Sequence, residues 1–204
     1  MPLRLGIVVA ALATTGVIVG FFVTRFLNPT PAPIVATSTA VALQGHPVVN
    51  VELTTVGAIG SGPHPNWVAY LPTTYIDVPP GAVVHMTIIQ EDSATGVRNP
   101  YFSLTRGTIN NETTVNGKVF KALDPSLPAH TFTIPDLGIN VPLDGLGSNA
   151  SANARNVITF DFIVPNRKGV FRWQCFVPCA AGTLYGNGGP MQTLGYMAGE
   201  LQVG

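Results

Sequence analysis

Charge is scarce in this sequence: only 10% of its 204 residues are Asp, Glu, Lys or Arg, and ten basic side chains balance ten acidic ones. The basic residues are also scattered. With no Lys/Arg cluster to follow a phosphate backbone, nucleic acid is excluded as a partner. Helical periodicity is missing as well, and 22 glycines and 18 prolines cut the chain into short runs, which excludes a helical bundle. There is no G-x-S-x-G, no H-E-x-x-H and no glycine-rich phosphate cradle opening a helix. A hydrolytic or group-transfer constellation is therefore absent. Glu91 and Asp92 form an isolated acidic pair at the end of an apolar run and read as a solvated turn. Cysteine and histidine are rare, two and four residues respectively, so the places where they fall carry information.

One long apolar run is present. Leu5 to Thr24, LGIVVAALATTGVIVGFFVT, holds no charge and is flanked by Arg4 and Arg25. As a helix it spans about 30 Å, the hydrocarbon thickness of a bilayer. A cleaved signal peptide has a shorter apolar core, about 7–15 residues, and a small-residue cleavage site. FFVTRFLNP does not resemble such a site. Residues 1–27 are accordingly expected to be an N-terminal transmembrane anchor with the membrane as partner. One arginine at each end leaves the charge asymmetry of the flanks nearly silent on orientation. Gly16 and Gly20 form a GxxxG, a weak signal among so many small residues. Residues 28–45 bring three prolines and no charge, and read as a semi-rigid linker.

The remainder, 46–204, reads as one β-domain. VVNVEL (48–53), NWVAYL (66–71), TYIDV (74–78) and AVVHMTIIQ (82–90) are β-branched or aromatic runs bounded by Pro and Gly. NVITFDFIV (156–164) alternates most clearly, placing Ile158, Phe160, Phe162 and Val164 on one face. PNRKG (165–169) reads as a hairpin turn into VFRWQC (170–175), and MAGELQV (197–203) as the closing strand. Strands at this spacing without helices between them predict a β-sandwich or barrel. Ser93–Leu127 is polar, with room for a strand or two, and 144–155 reads as a loop. Long loops of this kind often face partners. Asn111-Glu112-Thr113 and Asn149-Ala150-Ser151 have the form of glycosylation sequons.

The last strands carry the chemistry. FRWQC, then FVPC, then a glycine-rich loop puts Cys175 and Cys179 at the sandwich rim, and PAHTFTIPDLGINVPL (128–143) starts a strand near His130. Thiolate, imidazole and a methionine thioether together suit copper. Met191 is the methionine that the loop can return to such a site, while Met197 opens the closing strand and reads as core. His85 shares a strand face with Val83, Thr87 and Ile89 and is a weaker candidate for a second imidazole. His64 and His46 read as solvated loop residues, and Trp173 as core. The two cysteines, with three residues between them, can alternatively reach disulfide geometry in an oxidising compartment.

AHTFTIPDLGINV followed by GVFRWQCFVPC resembles the cupredoxin superfamily, and within it most closely the soluble domain of cytochrome c oxidase subunit II. The resemblance covers 130–204 by motif and 46–204 by strand layout. It implies an all-β, Greek-key β-sandwich behind one transmembrane helix, at the cell membrane with the β-domain on the extracytoplasmic face. It also implies copper for electron transfer and other subunits of a respiratory or membrane complex as partners. By position, His130 would be the first histidine ligand, Cys175 and Cys179 bridging thiolates, and Phe176 the source of a backbone carbonyl. The family pattern continues C-x3-C-x3-H-x2-M, whereas this chain has Thr183 and Gly186 at those positions. With one imidazole missing, a mononuclear and a binuclear centre both stay open. So does a copper-free structural or assembly subunit with a Cys175–Cys179 disulfide. Catalysis by the chain alone is not expected; its enzymatic role would be that of an electron-transfer subunit.

Overall fold

The computed structural model describes residues 15–17, 34–35, 37–43, 45–60, 62–179 and 188–204. The chain divides into two units, Met1–Pro31 and Ala32–Gly204. In the first, residues 15–17 are helical; the rest of the apolar run 5–24 lies outside the described residues. Among the described residues, no helix is long and apolar enough to cross a membrane.

The second unit is built from strands. In chain order they are β1 (Ile34–Val35), β2 (Thr37–Leu43), β3 (His46–Val56), β4 (Ala69–Leu71), β5 (Tyr75–Val78), β6 (Val83–Gln90) and β7 (Thr113–Val115). There follow β8 (Lys118–Phe120), β9 (Pro128–Ile134), β10 (Ile139–Asp144), β11 (Asn156–Ile163), β12 (Gly169–Gln174) and β13 (Ala198–Val203). One sheet runs β1-β5-β13-β12-β9-β10, the other β2-β3-β6-β11-β7-β8, with β4 on β3. The all-β reading of the sequence therefore holds for this unit.

Alternation explains why the sheets pack. On β11, Ile158, Phe160 and Phe162 are buried while Val157 and Ile163 are exposed, the period of two that one covered face demands. Phe132 of β9 lies 5.7 Å from Phe160 and 6.3 Å from Phe162, ring centre to ring centre, and 4.8 Å from Trp173 of β12. These rings join one sheet to the other, and truncating such a buried Phe to Ala costs about 3–5 kcal/mol. Gly199 of β13 is required where it stands, because a Cβ there would overlap the Thr74 carbonyl and the Trp173 ring.

Two expectations change. PNRKG is not a hairpin turn: β11 lies in one sheet and β12 in the other. The reason is that both edges of β11 are occupied, by β6 on one side and β7 on the other, leaving none for β12. Within the stretch read as a linker, β1 pairs in parallel with β5, and β2 pairs antiparallel with β3. TSTAVAL of β2 includes three β-branched residues, Thr37, Thr39 and Val41, which suit an extended, paired backbone. In the polar stretch after Ser93, β7 and β8 form a short antiparallel pair. Before them in the same stretch, Arg106 exchanges both main-chain hydrogen bonds with Asn140 of β10, at 2.8 and 3.0 Å.

Candidate metal centre

β9 and β12 are neighbours in register, Gln174 opposite Thr133. His130 near the start of β9 and Cys175 just past the end of β12 therefore come to the same pole. His130 Nδ1 is 3.9 Å from Cys175 Sγ, and Cys179 Sγ is 3.8 Å from Cys175 Sγ. All three donor atoms lie within 4.8 Å of one another and all three residues are buried. The sulfurs are far beyond the about 2.05 Å of a disulfide bond. Two thiolates held about 2.3 Å from one ion at a tetrahedral angle stand about 3.8 Å apart. The observed separation fits that arrangement, and His130 would supply a third donor.

The other ring nitrogen has its own partner. His130 Nε2 lies 3.0 Å from Asp92 Oδ2. When Nε2 donates to that carboxylate, the neutral ring keeps its Nδ1 lone pair turned toward the sulfurs, the arrangement that orients a metal-ligating histidine. Asp92 is placed by its backbone: its carbonyl accepts from Leu146 N–H at 2.9 Å and from Gln90 Nε2 at 3.0 Å. The sequence reads Asp92 as a solvated turn, and the structure makes it the partner of His130. Nothing local marks this, since the pairing depends on β6 ending where β9 begins.

Without metal the site is a charge relay held in balance. Burial opposes protonation of His130, but hydrogen bonds to Asp92 and Cys175 outweigh it and raise the imidazole to about 9. For Cys175, burial again favours the neutral thiol, while hydrogen bonds from Cys179 and His130 carry it well below the usual thiol value. Cys179 moves the opposite way, raised first by its hydrogen bond to Cys175 and then by burial. Asp92 is lowered: its burial is outweighed by the His130 bond. A soft cation bound there would compete with protons for the same sulfur and nitrogen donors.

The supporting shell is polar and buried. Thr131 N–H donates to Cys175 Sγ at 3.4 Å, and Phe176 N–H donates to Thr131 Oγ1 at 2.9 Å. Tyr70 donates its hydroxyl to the Thr131 carbonyl at 3.1 Å. Burial, then the charge of the neighbouring sulfurs, raises the Tyr70 phenol well above its usual value, so it stays a donor. Cys175 N–H donates to the Met197 carbonyl at 2.8 Å, closing the stem between β12 and β13.

Met191 is buried in a short 3-10 helix, Gly189–Gln192, and belongs to the same core as Cys175 and Cys179. Its segment is tied to the stem through Met197 N–H on the Pro190 carbonyl at 3.0 Å. Thr183 and Gly186 lie outside the described residues. Phe176, read as a carbonyl donor, is half-buried and anchored through its N–H. His85 is corrected: it faces outward on β6, opposite Asp161 of β11, with Nδ1 2.6 Å from Asp161 Oδ1. Strand register puts it on the solvent face of the second sheet, so it supplies no second imidazole. His64 stacks on Trp67 with ring centres 3.8 Å apart, and His46 Nδ1 meets the Gly81 carbonyl at 2.6 Å.

No protein-family model matches this chain, and no curated protein is similar to it. Among solved structures, a copper-containing nitrite reductase from Thermus scotoductus SA-01 is 13% identical over 76% of this chain and 30% of its own, with a TM-score of 0.30. Rusticyanin from Thiobacillus ferrooxidans is 14% identical over 83% of this chain and 87% of its own, with a TM-score of 0.30. A rusticyanin variant gives 13%, 83%, 86% and 0.32 for the same quantities. Superposition this loose bears on neither fold nor function, which rest on the strand order and the donor set above.

Proposed function

We propose that this chain is a membrane-anchored, cupredoxin-like copper protein for electron transfer, a subunit II-like component working beside other subunits of a respiratory oxidase. The observation that carries the metal reading is the convergence of His130 Nδ1 and the Cys175 and Cys179 sulfurs within 4.8 Å in a buried site. His130, Cys175 and Cys179 would hold the ion, with Met191 a further sulfur buried in the same core. Bound copper supplies a one-electron couple whose potential the surrounding ligands and burial tune. The chain's own work is to exclude water, to orient the imidazole through Asp92, and to hold the Cys175 sulfur against Thr131 N–H. The uncharged run 5–24 supports the anchor, and the paired motifs around His130 and Cys175 support the extracytoplasmic β-domain and the oxidase-like role.

The second reading, a copper-free structural subunit, is favoured by Thr183 standing where the resembled pattern has histidine. One experiment separates them. The full chain in detergent is reduced, loaded with Cu(II) and read for metal stoichiometry and visible absorption. Intense thiolate-to-copper absorption that vanishes in Cys175→Ser supports the carrier. A colourless protein with no bound copper and a Cys175–Cys179 disulfide supports the structural subunit and overturns the carrier.

A further inference from the structure

Beside the thiolates runs a line of buried polar side chains outside the donor set. Thr131, Thr133 and Asn140 are 0%, 4% and 2% exposed. Thr133 and Asn140 face each other across β9 and β10. The Phe176 amide meets Thr131 Oγ1 at 2.9 Å, and the two threonine hydroxyls are 2.9 Å apart. Thr133 Oγ1 is 2.8 Å from Asn140 Oδ1, and Asn140 Nδ2 donates to the Leu104 carbonyl at 2.7 Å.

The middle of this line is the Thr133 hydroxyl. It donates toward Thr131 Oγ1 on one side and Asn140 Oδ1 on the other, so its one proton serves two acceptors. Asn140 is in turn held by its Nδ2 on the Leu104 carbonyl. Bonds in such a network polarise one another. The Thr131 oxygen accepts from the Thr133 hydroxyl and from the Phe176 amide. Thr131 grips the thiolate segment at two consecutive residues, through its N–H on Cys175 Sγ and its Oγ1 on Phe176.

We infer that Thr133 and Asn140 are positioning residues for the Cys175–Cys179 segment, because they orient the Thr131 hydroxyl that holds the Phe176 amide beside the sulfur. The far end of the line is Leu104, in the polar stretch that Arg106 ties to Asn140 of β10. Part of that stretch thus serves the site from behind. Only the copper-dependent arm of the following test rests on the copper reading.

The test is amide hydrogen exchange on the metal-free full chain, resolved at Phe176 and at β11. Thr133→Val keeps the shape and removes the hydroxyl. Phe176 exchange should rise about tenfold, the worth of one buried hydrogen bond, while β11 stays as in the wild type and Thr133→Ser restores protection. Copper-loaded, Thr133→Val should shift the thiolate-to-copper absorption and weaken copper binding about tenfold, again restored by Thr133→Ser. Wild-type exchange at Phe176 in Thr133→Val overturns the inference. So does an equal rise at Phe176 and β11, which marks Thr133 as general packing. If Thr133→Val does not accumulate folded, Thr133→Ala is read against the same two outcomes. A wild type that binds no copper overturns the electron-carrier reading and leaves the exchange result to decide this one.

Discussion

His85 and His130 each meet one aspartate, at 2.6 Å for Asp161 and at 3.0 Å for Asp92. The first pair stands on the outer face of its sheet, with 42% and 43% of the side chains exposed; the second buries its histidine completely and leaves 31% of Asp92 exposed. Water screens the outer pair, and exposed ion pairs of this kind contribute about 0–1 kcal/mol. The inner pair has no such screening, and its imidazole also faces a sulfur. The same two residue types are a surface contact in one place and half of a candidate metal site in the other. Strand register and the pole at which strands end decide which.

Four outcomes test that contrast, the first with the largest effect. Cys175→Ser should abolish thiolate-to-metal absorption completely, whereas His85→Ala should leave it unchanged; titration with Cu(II) reads both. Asp92→Asn should weaken metal binding about 10–100-fold through loss of ring orientation, and Asp161→Asn should not, as measured by competition with a chelator.

The third outcome concerns pH. His130 is raised from 6.5 to about 9, so by itself it contributes stability that is full below pH 6.5 and lost as pH rises through about 9. Cys175 is lowered from 9.0, so by itself it contributes stability present above pH 9.0 and lost on acidification. Asp92→Asn removes the carboxylate that raises His130 and should shrink the His130 contribution. From pH 6.5 to 9 the metal-free variant should therefore lose less Tm, relative to its own value at pH 6.5, than the wild type does. Thermal melts at several pH values check this. Smallest is the outer pair itself: Asp161→Asn should change unfolding free energy by no more than about 0.5 kcal/mol in urea titrations.

Much of the fold was legible because it follows from period-two alternation. β11 was the clearest case, with Ile158, Phe160 and Phe162 buried as its pattern requires. The meeting of His130 with the two cysteines was legible too, since they stand at or just beyond strand ends, where side chains from separate strands come together. The route from β11 to β12 was not, because alternation says which face is covered and nothing about which sheet a strand joins. Residues 34–43 follow three closely spaced prolines and carry no charge, a setting that linkers and edge strands share. Asp92 was missed for a different reason: a carboxylate after a strand is usually solvated, and only the Leu146 and His130 contacts make it otherwise. The Thr131–Thr133–Asn140 line is invisible in sequence because Asn140 and Phe176 reach the two β9 threonines from other parts of the chain.

The stem that closes the sulfur site has one more consequence. Cys175 is fixed to Met197 through its N–H, and the next ladder pair, Gln174 with Ala198, belongs to the sheet. The position of the first sulfur is thus set by the two strands and by Thr131. A change elsewhere at this pole that leaves those bonds in place should leave Cys175 in place as well.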